Sequence, residues 1–144
     1  MAKTDTGQDA YVSLFSICAE LLMVQTALIA PRSFEDDAGA INVKALGYVY
    51  GFADAAMQIA GLQIEDERAL MLLSHLYELF AEGKGDDYLR HAIGSLGWNA
   101  MKTGVMLGGE DYNQWVKSDG KIIPRGLGRE LRSSNLFCYD GETN

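Results

Sequence analysis

The position of the prolines constrains the fold of this chain more than any other feature. Pro31 and Pro124 are its only prolines, so residues 32–123 contain none. Proline breaks or kinks a helix, because its ring clashes with the preceding turn and its nitrogen carries no hydrogen to donate. The long proline-free stretch therefore permits several uninterrupted helices, within a length of 144 residues that suits one domain.

Apolar residues recur at the three-to-four-residue spacing of amphipathic helices in four segments. These segments predict helices near residues 8–30, 38–60, 64–82 and 87–107. Asp36 or Asp37 is expected to cap the second helix, and Gly108-Gly109 to end the fourth. Because short loops join the helices, we expect an all-α single domain over residues 1–144, arranged as an antiparallel four-helix bundle.

The C-terminal segment, residues 109–144, has two predicted conformations. Residues 112–124 suit either a short helix or a small hairpin that turns at Asp119-Gly120, since Asp-Gly between apolar pairs is a hairpin signal. Its apolar residues are too many for a free tail, so the segment is expected to pack on the bundle. They are Trp115, Ile122, Ile123, Leu127, Leu131, Leu136 and Phe137.

The formal net charge is −8, and it is unevenly distributed. Residues 1–116 hold sixteen acids and seven bases, whereas residues 117–144 hold four acids and five bases. An acidic body repels the phosphates of nucleic acids and of anionic membranes and favours a basic partner. We therefore expect no nucleic-acid partner. The basic C-terminal segment is expected either to dock on its own acidic body or to bind an external anion.

Residues 11–30 form the most apolar run of the chain, which raises the question of a membrane or signal segment. Glu20 interrupts the run, and a carboxylate in mid-bilayer costs about 3 kcal/mol. Asp5 and Asp9 precede the run, unlike the basic start of a signal peptide. The run therefore predicts a buried amphipathic helix and no membrane association. Its predicted core face comprises Tyr11, Leu14, Phe15, Cys18, Leu22 and Ile29.

Two cysteines, Cys18 and Cys138, lie far apart in the sequence. Small secreted domains carry denser cysteine frameworks, so this spacing favours a reduced, cytoplasmic protein. Cys18 falls on the apolar face of the first helix, where a thiol packs as a small hydrophobic group.

Four polar residues on predicted helices raise the possibility of a metal or ligand site. Asp54, His75, Glu78 and His91 are residue types that ligate metals in the cores of di-metal helical bundles. This set defines the alternative prediction, a ligand- or metal-binding helical-bundle enzyme. Helical wheels instead point these side chains away from the apolar faces. Together with the absence of a nucleophile motif, this favours a protein without catalytic residues, metal or cofactor, and so not an enzyme.

The apolar residues outnumber what four helices can bury. The second helix is apolar behind its core face, at Leu46, Tyr50, Ala53 and Met57, and the fourth at Trp98, Met101 and Val105. A helix that is apolar all round is a buried one. These second faces are therefore expected to be covered by the C-terminal segment, by a second copy in a homodimer, or by a partner. Tryptophan is enriched at interface centres, so Trp98 is expected on such a contact surface.

Small residues follow one side of the second helix. Gly47, Gly51, Asp54 and Gln58 form a stripe, and each glycine costs about 1 kcal/mol relative to alanine in a helix. The stripe predicts either a helix that packs closely there or a pocket with Asp54 as its polar anchor. The predicted binding residues are thus Trp98, Met101, Val105, Tyr50 and Asp54.

The run Gly47-Tyr48-Val49-Tyr50-Gly51-Phe52-Ala53-Asp54-Ala55 is similar to a Gly-Tyr-x-x-Gly-x-x-Asp-Ala helix in the small helical immunity proteins that neutralise type VI secretion amidases. The order of the next two helices also resembles theirs. Those proteins usually carry a signal peptide and paired cysteines, neither of which this sequence displays. The resemblance implies an inhibitor-like, helical protein.

The sequence therefore predicts a non-catalytic, helical protein-binding module of the small acidic inhibitor, immunity or adaptor type. Its expected partner is a basic protein or a second copy of the chain.

Overall fold

A computed structural model describes residues 6–27, 34–35, 39–63 and 65–132. Within these residues the chain is all-helical, as predicted, with six α-helices and no strand. They are α1 (Thr6–Gln25), α2 (Val43–Ile59), α3 (Glu67–Glu78), α4 (Gly85–Gly94), α5 (Asn99–Lys117) and α6 (Gly126–Arg132). Ile29, Asp36, Asp37, Leu136, Phe137 and Cys138, for which predictions were made, lie outside the described residues.

Polar side chains set the starts of α2 and α3. The Asn42 side chain accepts a hydrogen bond from the backbone N–H of Ala45 at 3.0 Å, so α2 begins later than the predicted residue 38. Asp66 caps α3 by accepting from the backbone N–H of Arg68 at 2.8 Å. The Arg68 guanidinium also pairs with Asp66, and these hydrogen bonds lower the pKa of its carboxyl to about 2.

The predicted single helix over residues 87–107 is wrong. The chain leaves the helix after Gly94, turns through Ser95–Gly97, and starts α5 at Asn99 with Trp98 in the capping position. Gly108-Gly109 does not end α5, which continues to Lys117. The reason is that Gly108 faces another helix closely, and that contact offsets the low helix propensity of glycine.

Of the two conformations predicted for residues 112–124, a short helix or a hairpin, the hairpin does not form. Residues 112–117 belong to α5, and Asp119 and Gly120 adopt left-handed backbone angles, with φ of 59° and 81°. These angles turn the chain towards α6, whose Leu127 and Leu131 are buried. Within the described residues, α6 packs on α1, α2 and α5.

Helix α2 lies at the centre of the fold and contacts each of the other five helices. Its second apolar face is therefore covered by the chain itself, with Leu46, Ala53 and Met57 buried and Tyr50 half-buried. The hydroxyl of Tyr77 in α3 donates to the Leu46 carbonyl oxygen at 2.7 Å. The predicted fourth helix is in fact two helices, α4 and α5. The fold therefore has more helices against which apolar residues can be buried than the four that were predicted.

Helix α1 buries the face predicted for it. Tyr11, Leu14, Cys18 and Leu22 are buried, Phe15 packs against them, and Glu20 is exposed on the opposite side. Burial raises the pKa of the Cys18 thiol to about 12, so it packs as an unreactive apolar group. Among the described helices, none combines the length and apolarity that a membrane crossing requires.

Candidate functional site

Helices α2 and α5 approach each other through glycines on both sides. A Cβ atom on Gly104 would lie 2.1 Å from the carbonyl oxygen of Lys44, and one on Gly108 would lie 2.0 Å from that of Tyr48. On α2, a Cβ atom on Gly47 would lie 2.5 Å from the Met101 carbonyl oxygen. Only glycine permits such backbone-to-backbone contact, which confirms the predicted close packing along the glycine stripe.

The facing residues also give the direction of the pair. Lys44 faces Gly104 and Tyr48 faces Gly108, so residue numbers rise together and the two helices run parallel. In an up-down-up-down bundle the second and fourth helices are parallel but diagonal to each other. Here the corresponding segments are direct neighbours at the centre of the fold, an arrangement that the sequence analysis did not predict.

A groove of about 280 Å³ opens between α2 and α5 towards their C-terminal ends. Gly109 forms part of it, since a side chain there would stand 3.7 Å from the Gly51 carbonyl oxygen. The missing side chain at Gly51 lets the two backbones touch, whereas the missing side chain at Gly109 leaves space between the helices. We call it the α2–α5 groove; it is lined by Gly51, Asp54, Ala55, Gln58, Ile59, Val105, Met106, Gly109, Glu110 and Asn113.

The charge of the α2–α5 groove is negative. Asp54 and Glu110 contribute carboxylates from opposite helices, and the described residues that line the groove include no lysine or arginine. An Asp54 carboxylate oxygen accepts a hydrogen bond from the Gln58 side-chain amide at 3.0 Å. The Asn113 side-chain amide donates to the Gly109 carbonyl oxygen at 2.9 Å. The groove therefore presents acceptors suited to a cationic or N–H-bearing group.

Apolar side chains accompany these carboxylates. Ile59 and Met106 are 51% and 54% exposed, one from each helix, and both line the groove. Among the described residues, the lining contains no histidine, cysteine, serine or lysine, and its ionisable groups are the carboxylates of Asp54 and Glu110. The α2–α5 groove therefore combines apolar and anionic parts.

The predicted binding residues do not all lie at one place in the structure. Asp54 and Val105 both line the α2–α5 groove. Tyr50 is half-buried one helical turn before Asp54; burial raises the pKa of Tyr50, and the Asp54 charge raises it further. Met101 is fully buried beneath the α2–α5 contact and is not a surface residue, contrary to the prediction.

Trp98 lies away from the groove, two helical turns before Val105. It is half-buried against the core, and its ring meets that of His91 edge-on at 6.4 Å. Its predicted position opposite the face of one continuous helix is wrong, because the chain breaks between α4 and α5. Trp98 and Asp54 therefore do not belong to one site.

The four residues of the predicted metal or ligand site have separate surroundings. His75 is exposed beside the ring of Phe15, and the Glu78 carboxylate accepts from the backbone N–H groups of Gly83 and Gly85. Glu78 thus fixes the turn into α4. His91 meets Trp98, and Asp54 lies in the α2–α5 groove. In the part of the chain that the structure describes, no three potential ligands cluster around one point.

Three groove residues were not predicted from the sequence: Met106, Glu110 and Asn113. Glu110 and Asn113 follow Gly109, where the fourth helix was expected to end. Their signal is periodicity: Met106, Glu110 and Asn113 continue at helical spacing through the two glycines. A helix carried through Gly108-Gly109 would have placed them on one face with Val105.

The chain matches no family model, and no significant match exists among curated proteins or among solved structures. None of these comparisons supports the resemblance of residues 47–55 to the immunity-protein helix. Their glycines have a structural explanation, because Gly47 and Gly51 are required by the contact with α5.

Proposed function

We propose that this protein is a non-catalytic protein-binding module of the small acidic inhibitor, immunity or adaptor type, and that its α2–α5 groove receives a basic segment of a partner protein. The observation that carries the proposal is the composition of the groove. Asp54 and Glu110 face it without a compensating cation in the lining, and the exposed side chains of Ile59 and Met106 adjoin them.

The chemistry of the groove matches a lysine or arginine side chain. Its charged end is accepted by Asp54 and Glu110, while its aliphatic stem packs on Ile59 and Met106. The net charge of −8 attracts a basic partner over a distance and increases the rate of association. The ion pairs and the apolar burial in the groove then contribute together to the affinity, with each partly exposed ion pair adding about 1 kcal/mol or less.

The scaffold favours binding because it is rigid at the groove. The glycine contacts hold the backbones of α2 and α5 together, so little conformational entropy is lost when the groove fills. A second copy of the chain is the alternative partner, since the bases of residues 117–132 would supply the basic segment. Sedimentation over a range of concentrations separates the two, because only self-association depends on the concentration of this chain alone.

Comparative affinity capture tests the proposal. The full-length protein, the groove variant Asp54→Asn/Glu110→Gln and the control variant Glu20→Gln/Glu82→Gln are immobilised and exposed to the same native lysate. The control removes two charges at exposed sites outside the groove. We expect a protein that is retained by the wild type and the control but depleted from the groove variant. Equal retention by all three would contradict the proposed site.

The non-catalytic part of the proposal has a separate test. We expect protein purified without chelator to carry no stoichiometric zinc, iron or manganese. A metal that is present in the wild type and lost on His75→Ala would contradict this expectation and favour an enzyme.

A cytoplasmic location is also proposed, on the grounds that Cys18 is a buried free thiol and that reduced thiols persist in that compartment. Fractionation of the source cells tests it, and recovery in the secreted fraction would contradict it.

A further inference from the structure

A second concave surface lies on the other side of α5, where the chain passes into α6. It has a volume of about 430 Å³, and we call it the α5–α6 cleft. Its lining differs from that of the α2–α5 groove in charge, since three cations contribute to it. The lining residues are Asp111, Gln114, Lys121, Ile122, Ile123, Pro124, Arg125 and Arg129.

The three cations of the cleft remain exposed. Lys121, Arg125 and Arg129 form no ion pair with any carboxylate of the described residues. In this part of the chain, the tail does not dock through these charges. It is held by the buried side chains of Leu127 and Leu131 instead.

The carboxylate of the cleft is already engaged. One Asp111 carboxylate oxygen accepts from the Tyr48 hydroxyl at 2.6 Å and from the Gly126 backbone N–H at 3.0 Å. The three cations outnumber this carboxylate, so the lining of the cleft is net positive and attracts an anion.

The backbone that carries the cations is fixed. The Gly120 N–H donates to the Trp115 carbonyl oxygen at 2.8 Å, and the Ile122 N–H donates to the Ser118 hydroxyl at 2.8 Å. The Asp111 contact then anchors Gly126. The charges are therefore presented by a held loop, which reduces the entropy lost on binding.

From this arrangement we propose that the α5–α6 cleft binds a small, multiply charged oxyanion that carries an apolar portion. Arginine side chains suit phosphate and carboxylate oxygens because their guanidinium groups donate two parallel hydrogen bonds. The exposed side chains of Ile122 and Ile123 would contact the apolar portion. The volume falls within the usual range for small-ligand sites, roughly 300–1,000 Å³.

The rest of the molecule restricts the ligand to a small one. Residues 1–116 carry sixteen acids and seven bases, and this negative field opposes an extended polyanion such as a nucleic acid or an anionic membrane. A compact anion contacts only the cleft. The proposal for this cleft does not depend on the proposal for the α2–α5 groove, so an experiment that contradicts one leaves the other unaffected.

Calorimetric titration of the full-length protein with pyrophosphate and with citrate, at physiological ionic strength, tests the proposal. Pyrophosphate represents phosphate compounds and citrate represents polycarboxylates, so the tighter binder identifies the source of the oxyanion. We expect Arg125→Gln and Arg129→Gln each to weaken binding about tenfold or more, as expected for loss of a charge-assisted hydrogen bond.

The control variant is Lys102→Gln, which removes one exposed cation outside the cleft. We expect it to bind the anion as the wild type does. The arginine substitutions lie at exposed positions, and circular dichroism checks that each variant is folded. Absence of binding of both anions at millimolar concentration, or equal weakening by Lys102→Gln, would overturn the proposal.

Discussion

Gly51 of α2 lies so close to Val105 of α5 that a Cβ atom on Gly51 would stand 2.0 Å from the Val105 carbonyl oxygen. Side-chain rotation cannot relieve such an overlap, because the atom on the other side belongs to a backbone. The two helices would have to separate. The contact therefore requires glycine, and it also positions Asp54 and Glu110 on the two sides of the groove.

Substitution Gly51→Ala is expected to lower the free energy of unfolding by about 3 kcal/mol or more, at the upper end of the usual cost of overpacking. Urea denaturation measures the change. Gly94→Ala is the matched control, because Gly94 also lies in a helix but a Cβ atom there meets nothing within 4 Å. Alanine should leave stability unchanged there or raise it by up to about 1 kcal/mol. Similar stabilities for the two variants would contradict the close α2–α5 contact.

Tyr48 and Asp111 connect the core to the C-terminal segment. Asp111→Ala leaves the buried Tyr48 hydroxyl without its short hydrogen bond and the Gly126 N–H without its acceptor. We expect Asp111→Ala to lower the free energy of unfolding by about 2 kcal/mol. In a double-mutant cycle with Tyr48→Phe, we expect a coupling energy between the two residues of about 1 kcal/mol. Urea denaturation of the four proteins measures both quantities. Glu110→Ala, at the exposed neighbouring residue, is the control, and an equal loss there would refute the role of Asp111.

Periodicity predicted much of this fold, but the helix ends depended on tertiary contacts. Apolar spacing was sufficient for the described part of the α1 face and for most of the α2 face, but Ile59, which the spacing placed on the buried face of α2, is 51% exposed. It failed at Gly108, since a glycine that breaks an isolated helix is stable where another backbone lies against it. It also failed at Ser95–Gly97, which contain no proline to mark the end of α4.

Stability should fall at alkaline pH because several buried groups resist ionisation. Burial raises the pKa of Tyr48, Tyr77 and Tyr88 above the usual 10.0 of tyrosine, and that of Cys18 from 9.0 to about 12. The unfolded chain ionises first, so the folded state holds more protons and loses stability as pH rises above about 9. Each such group removes about 1.4 kcal/mol per pH unit between its unfolded and folded pKa values.

Urea denaturation at a series of pH values, with tyrosinate absorbance as a second signal, measures this dependence. Tyr88→Phe should reduce the steepness of the decline above about pH 10, because one resisting group is removed. A free energy of unfolding that stays constant up to about pH 11 would be inconsistent with buried, protonated tyrosines.

Only part of the candidate site could be predicted from the sequence. Asp54 was found because it follows the glycine stripe by one turn, and Val105 because it lies on the second apolar face. Glu110 and Asn113 were missed, since their relation to Asp54 depends on the parallel contact of two helices that are remote in sequence. Pairing between distant helices cannot be derived from the periodicity of either one.

Photocrosslinking at two exposed methionines tests the binding site most directly. Met106 lies in the α2–α5 groove and is 54% exposed, whereas Met71 lies on α3 outside it and is 50% exposed. Each is replaced in turn by photoreactive benzoylphenylalanine, and the protein is irradiated in native lysate. We expect a covalent adduct with a partner protein from position 106, lost when Asp54→Asn and Glu110→Gln are added, and none from position 71. An adduct from position 71 alone, or one from position 106 that persists after both substitutions, would contradict the proposed role of the groove.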